Sequence, residues 1–137
     1  MDTTNISLVR NSWQQVLPIK DTAAHLFYGQ LFELDPALQP LFKGDMLEQG
    51  RKLMAMINTV VNSLDNLVPV LESVQAMGRR HVAYGVTAAH YDTVGNALIW
   101  TLSQGLGAQF TPAVKSAWIE AYTTLSSAMK QAAYGKP

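Results

Sequence analysis

Gln49, Leu53, Met56, Ile57, Val60 and Leu64 fall at intervals of 4, 3, 1, 3 and 4, a spacing that lines one face of an α-helix and no face of a strand. The same period recurs from one end of the chain to the other, and nowhere do apolar and polar residues alternate over more than a few positions. An all-α fold is therefore expected. A length of 137 residues suits one domain with one core, and apolar residues at 48% are enough to fill it while making disorder implausible.

Punctuation divides the pattern into six to seven helices. Thr4 is expected to cap a first helix carrying Ile6, Val9, Trp13 and Val16, which Pro18 stops. Asp21 would cap a second reaching Leu34, with Ala24, Phe27, Tyr28, Leu31 and Asp35 on one side, and Pro36 opens a short turn ending at Leu41 and Phe42. Asp45 and Glu48 read as a capping box for a third helix to about Leu64. Asn66 and Pro69 start a fourth, whose stripe of Leu71, Val74, Met77, Gly78 and His81 gives out near Gly85. Ala89 or His90 begins a fifth with Tyr91, Val94, Leu98, Ile99 and Leu102 inward, closed by Gly105 and Gly107. Thr111 and Pro112 pair an N-cap with Pro at the first position of a sixth, carrying Val114, Ala117, Trp118, Ala121, Tyr122, Leu125 and Met129.

Three polar side chains interrupt these apolar stripes: Tyr28, Gln49 and His81. Each alone has a plain explanation, a core tyrosine with one hydrogen bond, a solvated Gln, a core imidazole met by backbone. Together they resemble a small-molecule site with a ligating imidazole on one side and two hydrogen-bonding groups on the other. His25 lies off the main stripe of its helix and reads as a surface residue, and His90 at a helix start reads as a capping or solvated one.

Other chemistries find no support. There is no cysteine, so disulfides, thiolate nucleophiles and iron–sulfur ligation are excluded and any metal rests on His and carboxylates. Ten basic and ten acidic residues cancel, leaving no general field to attract nucleic acid or an anionic membrane. No two histidines stand three or four apart, and no G-x-S-x-G elbow is present. The start of the chain lacks a signal-like apolar run, and no stretch approaches a membrane span, so a soluble cytoplasmic protein is expected.

The order of LFYGQLF around Tyr28, DPALQPLF to Phe42, QGRKLM from Gln49, GRRHVAYGV around His81, HYDTVGNAL after it and AWIEAY near the end resembles a globin over essentially the whole chain. The likeness is to the single-domain bacterial globins and the globin half of flavohaemoglobins. It implies a globin fold over residues 1–137 around a pocket for haem b, iron protoporphyrin IX, with His81 as the proximal iron ligand. It implies Phe42 stacked on the porphyrin, Tyr28, Gln49 and Leu53 lining the distal side, and Met77, Val94 and Leu98 against the haem. Lys52, Arg80 and Lys43 are candidates for the propionates. His81 is expected to donate its other ring N–H to the Met77 carbonyl.

Iron held by one imidazole keeps its sixth position for O2, NO or CO. O2 is the more polarised ligand and gains more than CO from the Tyr28 and Gln49 donors, which implies tight binding by slow release. Flavohaemoglobin globin domains support the proximal His with a tyrosine and a late glutamate. Tyr91 is present, but Ala133 stands where the glutamate would fall. With no reductase domain in the sequence, nitric oxide dioxygenation would need a separate reductase. A gas sensor or interaction module acting through a separate partner is the second reading, and a haem-free helical bundle closed by a polar core is the third. A monomer or a homodimer fits any of them.

Overall fold

Among the described residues there are six α-helices and three short 3-10 segments, and no strand. The computed structural model describes residues 2–42, 44–83 and 86–134. Lys43 and Gly85, the latter being where the fourth helix was expected to give out, lie outside the described residues.

Helix α1 runs Thr3–Val16 and is capped by Asp2, whose carboxylate accepts the Asn5 N–H at 2.7 Å. The cap is thus Asp2 and not Thr4. A carboxylate at the positive helix end is a stronger acceptor than a hydroxyl two residues further in. Pro18 ends α1 as expected, but the chain stays helical through a 3-10 segment, Leu17–Ile19, straight into α2, Lys20–Leu34. No extended residue separates the two, so Asp21 sits inside the first turn of α2 and not at a cap. Asp35 leaves the apolar side of α2 assigned to it. It ends that helix and accepts the Ala37 N–H at 3.2 Å, opening the 3-10 segment Pro36–Leu41.

Helix α3, Met46–Asn62, begins where Asp45 accepts the Leu47 N–H at 2.9 Å. It stops two residues before Leu64, which is buried nonetheless. Helix α4 is Val68–Ala83, with the Asn66 side chain accepting the Val68 N–H at 3.3 Å. Helix α5, Ala88–Leu106, starts one residue before the expected Ala89. Thr87 caps it and His90 returns the favour, its Nδ1 accepting the Thr87 N–H at 3.0 Å. Helix α6, Pro112–Tyr134, takes its cap from Thr111, whose hydroxyl accepts the Val114 N–H at 3.3 Å.

The main core joins α1, α2, α3, α5 and α6 around Val9, Trp13, Leu31, Leu102, Ala117 and Trp118. Trp13 and Trp118 meet with ring centroids 6.1 Å apart. Their indole N–H groups donate to Asn58 Oδ1 at 2.9 Å and Ser12 Oγ at 2.8 Å, so two large rings are buried with no unmet donor. A second, smaller cluster of Val74, Tyr91 and Met129, with Met77 and Leu125 against it, seats α4 on α6. Leu71 does not follow that stripe inward and is exposed. The buried side of α4 runs through Val74 and Gly78, where a side chain would collide with the Met129 backbone. Helix α4 rests chiefly on α6, and α3 is not among its principal neighbours. No helix among the described residues is long and apolar enough to cross a membrane.

Candidate functional site

Tyr28 lies on the buried face of α2, where the helix period that buries Ala24, Phe27 and Leu31 carries it inward. Its ring meets Phe27 edge-on at 5.2 Å and Phe42 edge-on at 5.3 Å, and stacks with Phe32 at 6.0 Å. Phe32 and Phe42 close the group at 5.4 Å. The hydroxyl reaches the Gln49 main-chain carbonyl at 3.5 Å, the long end of a hydrogen bond. Burial pushes the Tyr28 phenol up to about 12, so at neutral pH it is a protonated donor. Tyr28, Gln49 and Phe42 are therefore brought together, with Leu53 half-buried one turn beyond Gln49 on α3.

His81 occupies the last turn of α4 and is half-buried. Its Nδ1 lies 2.7 Å from the Met77 carbonyl oxygen, the contact expected from the sequence. A carbonyl can only accept, so Nδ1 carries the proton and the lone pair sits on Nε2. Burial holds the imidazole below its ordinary pKa of 6.5; the Met77 carbonyl opposes this and the Arg80 charge adds to it. The result is a neutral ring in one tautomer, the form that ligates metals.

Tyr91 lies beside it, ring centroids 6.4 Å apart. The Tyr91 carbonyl accepts the Tyr122 hydroxyl at 2.6 Å, which locks α5 to α6 at this level. Burial, then the nearby Tyr91 and Asp92, raise the Tyr122 phenol well above its usual value. Gly95 lets that ring approach, since a Cβ there would come within 2.7 Å of it.

The remaining expected residues separate. Met77 packs its side chain into the Val74, Tyr91, Met129 cluster while its carbonyl orients His81. Val94 is half-buried and Leu98 buried, both in the main core. Lys52 is exposed and lies 3.5 Å from Glu48, one turn back on α3, and Arg80 is exposed. His25 is on the surface, as read from the sequence, and His90 is the N-cap partner already described. Sequence reasoning missed Phe32, although its place four residues after Tyr28 is one helical turn. It also missed Gly50, whose Cβ would stand 2.9 Å from that of Ala24, so that α2 and α3 cross almost backbone to backbone.

Whether this frame suits a haem can be tested on its donors. Among the described residues no three His, Asp or Glu side chains gather to hold a metal ion. An ion at His81 must therefore bring its other ligands with it, as a macrocycle does. His81 offers a single neutral imidazole suited to that; its contacts to Met77 and Tyr91, and those joining Tyr28 to Gln49 and Phe42, form two separate groups.

Comparison with known proteins points the same way. The family model described as Globin matches residues 25–129. The neuroglobin of Danio rerio is 33% identical, the match spanning 89% of this chain and 86% of that one. The neuroglobins of Chaenocephalus aceratus and Dissostichus mawsoni are each 30% identical over 90% of this chain and 87% of theirs.

Proposed function

This chain belongs to the globin family, and from that premise we propose that residues 1–137 form one haem b domain that binds O2 reversibly and releases it slowly. It is a haem-binding globin with a small gas as ligand; the finer reading concerns which residues hold the gas. His81 supplies the proximal nitrogen, fixed in its tautomer by the Met77 carbonyl, with Tyr91 beside it. Tyr28 and Gln49 form the distal pair, Phe42 and Leu53 wall that side, and Met77, Val94 and Leu98 fill around the ring. Lys52 and Arg80, both exposed, would meet the haem carboxylates at the water edge. When bound, haem supplies an iron that takes one imidazole and leaves a sixth position for a diatomic gas.

The observation that carries the reading is the meeting of the buried Tyr28 hydroxyl with Gln49 at 3.5 Å. A long contact to a main-chain carbonyl costs little to exchange for a polarised ligand, and burial keeps the phenol protonated to donate to it. The Gln49 amide is a second donor. Neither group offers much to CO.

Stopped-flow exchange tests this. Tyr28→Phe is expected to raise the O2 dissociation rate roughly ten- to a hundredfold, the loss of one hydrogen bond to a charged partner, with CO dissociation little changed; equal rates for wild type and variant would remove Tyr28 from the site. His81→Gly should abolish the five-coordinate ferrous spectrum, and added imidazole should restore it. Steady NO consumption in the presence of a reductase would mark a dioxygenase, with the cytoplasm as the compartment that supplies the reductant.

A further inference from the structure

On the side of α2 facing α3, a recess of about 180 Å³ is lined by Asp21, Ala24, His25, Tyr28, Met46, Leu47 and Gly50. Its residues divide by depth. Asp21, His25 and Leu47 are exposed and form the rim, Met46 is half-buried, and Ala24, Tyr28 and Gly50 are buried and form the floor. The floor is thin, because Gly50 has no side chain and the Ala24 methyl is all that separates the two helices there. Tyr28, which helps to line the recess, also makes the contacts to Phe42 and to Gln49.

We propose that this recess is the entrance for a small neutral gas, and that the Tyr28 ring is the inner gate between it and the site. This rests on the haem reading above. Three features argue for it. Between the polar rim groups Asp21 and His25 the walls at Ala24, Met46, Leu47 and Gly50 are apolar, so a neutral diatomic gas loses little by leaving water. Met46 is the most adaptable of side chains and Leu47 projects into solvent, so the mouth opens without moving a helix. Among the described residues the Tyr28 hydroxyl makes one long contact, 3.5 Å, so a small tilt of the ring against Phe27, Phe32 and Phe42 costs little on that side and joins the recess to the site.

A gate lies on the path and not at its end. Narrowing the mouth therefore slows entry and exit by one factor and leaves affinity unchanged, which separates it from a change in the distal hydrogen bonds. Laser photolysis of the CO complex of the haem-loaded protein provides the reading. Leu47→Trp, which fills the rim, is expected to slow bimolecular CO rebinding and CO dissociation together, roughly fivefold. Leu34→Trp, an equally exposed site on α2 outside the recess, should leave both rates as they are. Independently of gas kinetics, xenon dissolved under pressure should shift the NMR resonances of the Ala24 methyl and the Gly50 amide in the CO-bound protein. Leu47→Trp should abolish those shifts.

Unchanged rates in Leu47→Trp and in the deeper Met46→Trp, with a normal Soret band and a normal Tyr28→Phe effect, would overturn the entrance and leave the haem reading standing. A protein that takes up no haem would overturn both.

Discussion

Tyr28 is the residue in which burial and chemistry are most closely tied. Desolvation raises its phenol from an ordinary 10.0 to about 12, so between those values the folded chain keeps a proton that the unfolded chain has lost. Its contribution to stability is accordingly whole below pH 10 and disappears as pH rises through 12. Absorbance titration of phenolate should show a late step near pH 12 that is absent in Tyr28→Phe; if the variant keeps that step, the burial argument for Tyr28 fails. Tyr28, Gln49 and His81 were legible in the sequence because a polar group on an apolar stripe is conspicuous. Phe32 was not. On such a stripe a phenylalanine bordering a site and one filling a core are the same letter, and only the 6.0 Å stack on Tyr28 distinguishes them.

Helix contacts depend as much on residues that are small as on those that are large. Gly78 lies against the Met129 backbone, where a Cβ cannot fit without α4 lifting from α6. Because His81 stands one turn further along α4, lifting that helix moves its imidazole as well. Gly78→Ala should destabilise the fold by about 1–3 kcal/mol through overpacking, despite alanine's better helix propensity, and should weaken haem retention. Denaturant midpoints and the rate of haem transfer to an acceptor protein would check this, and a stabilised variant would show that propensity outweighs the clash. Sequence reasoning placed every α-helix, since the periods and the Pro and Gly stops are local. It erred at the starts. Asp2 caps where Thr4 was expected, and α5 begins at Ala88, capped by Thr87, where Ala89 or His90 was expected to begin it, because several good acceptors stood near each start and packing chose among them.

At the scale of the whole molecule there are two cores of unequal size. The larger lies around Trp13 and Trp118 and includes Tyr28 and Leu98. The smaller, Val74, Tyr91 and Met129, holds the helix that carries His81. A ligand seated on that helix binds the folded chain alone and adds to its stability by mass action. At a hundredfold excess over its dissociation constant the gain is about 2.7 kcal/mol, or roughly 10 °C in Tm for a domain of this length. Thermal melts with and without haem should show that gap in the wild type and a smaller one in His81→Gly; equal gaps would place the attachment elsewhere.

Taken alone, the sequence determined what depends on neighbours within a turn or two: six helices, their apolar faces, the three polar residues that break those faces, and the Met77 carbonyl that fixes the His81 ring. The tertiary structure alone decided what depends on residues far apart in the chain. It set Gly78 against Met129, passed Gly50 across Ala24 to leave a recess floored by Tyr28, and seated α4 chiefly on α6. The reason is physical: a helix's period is set by hydrogen bonds four residues apart, whereas the helix it meets, and at which residue, is set by the packing of all of them at once.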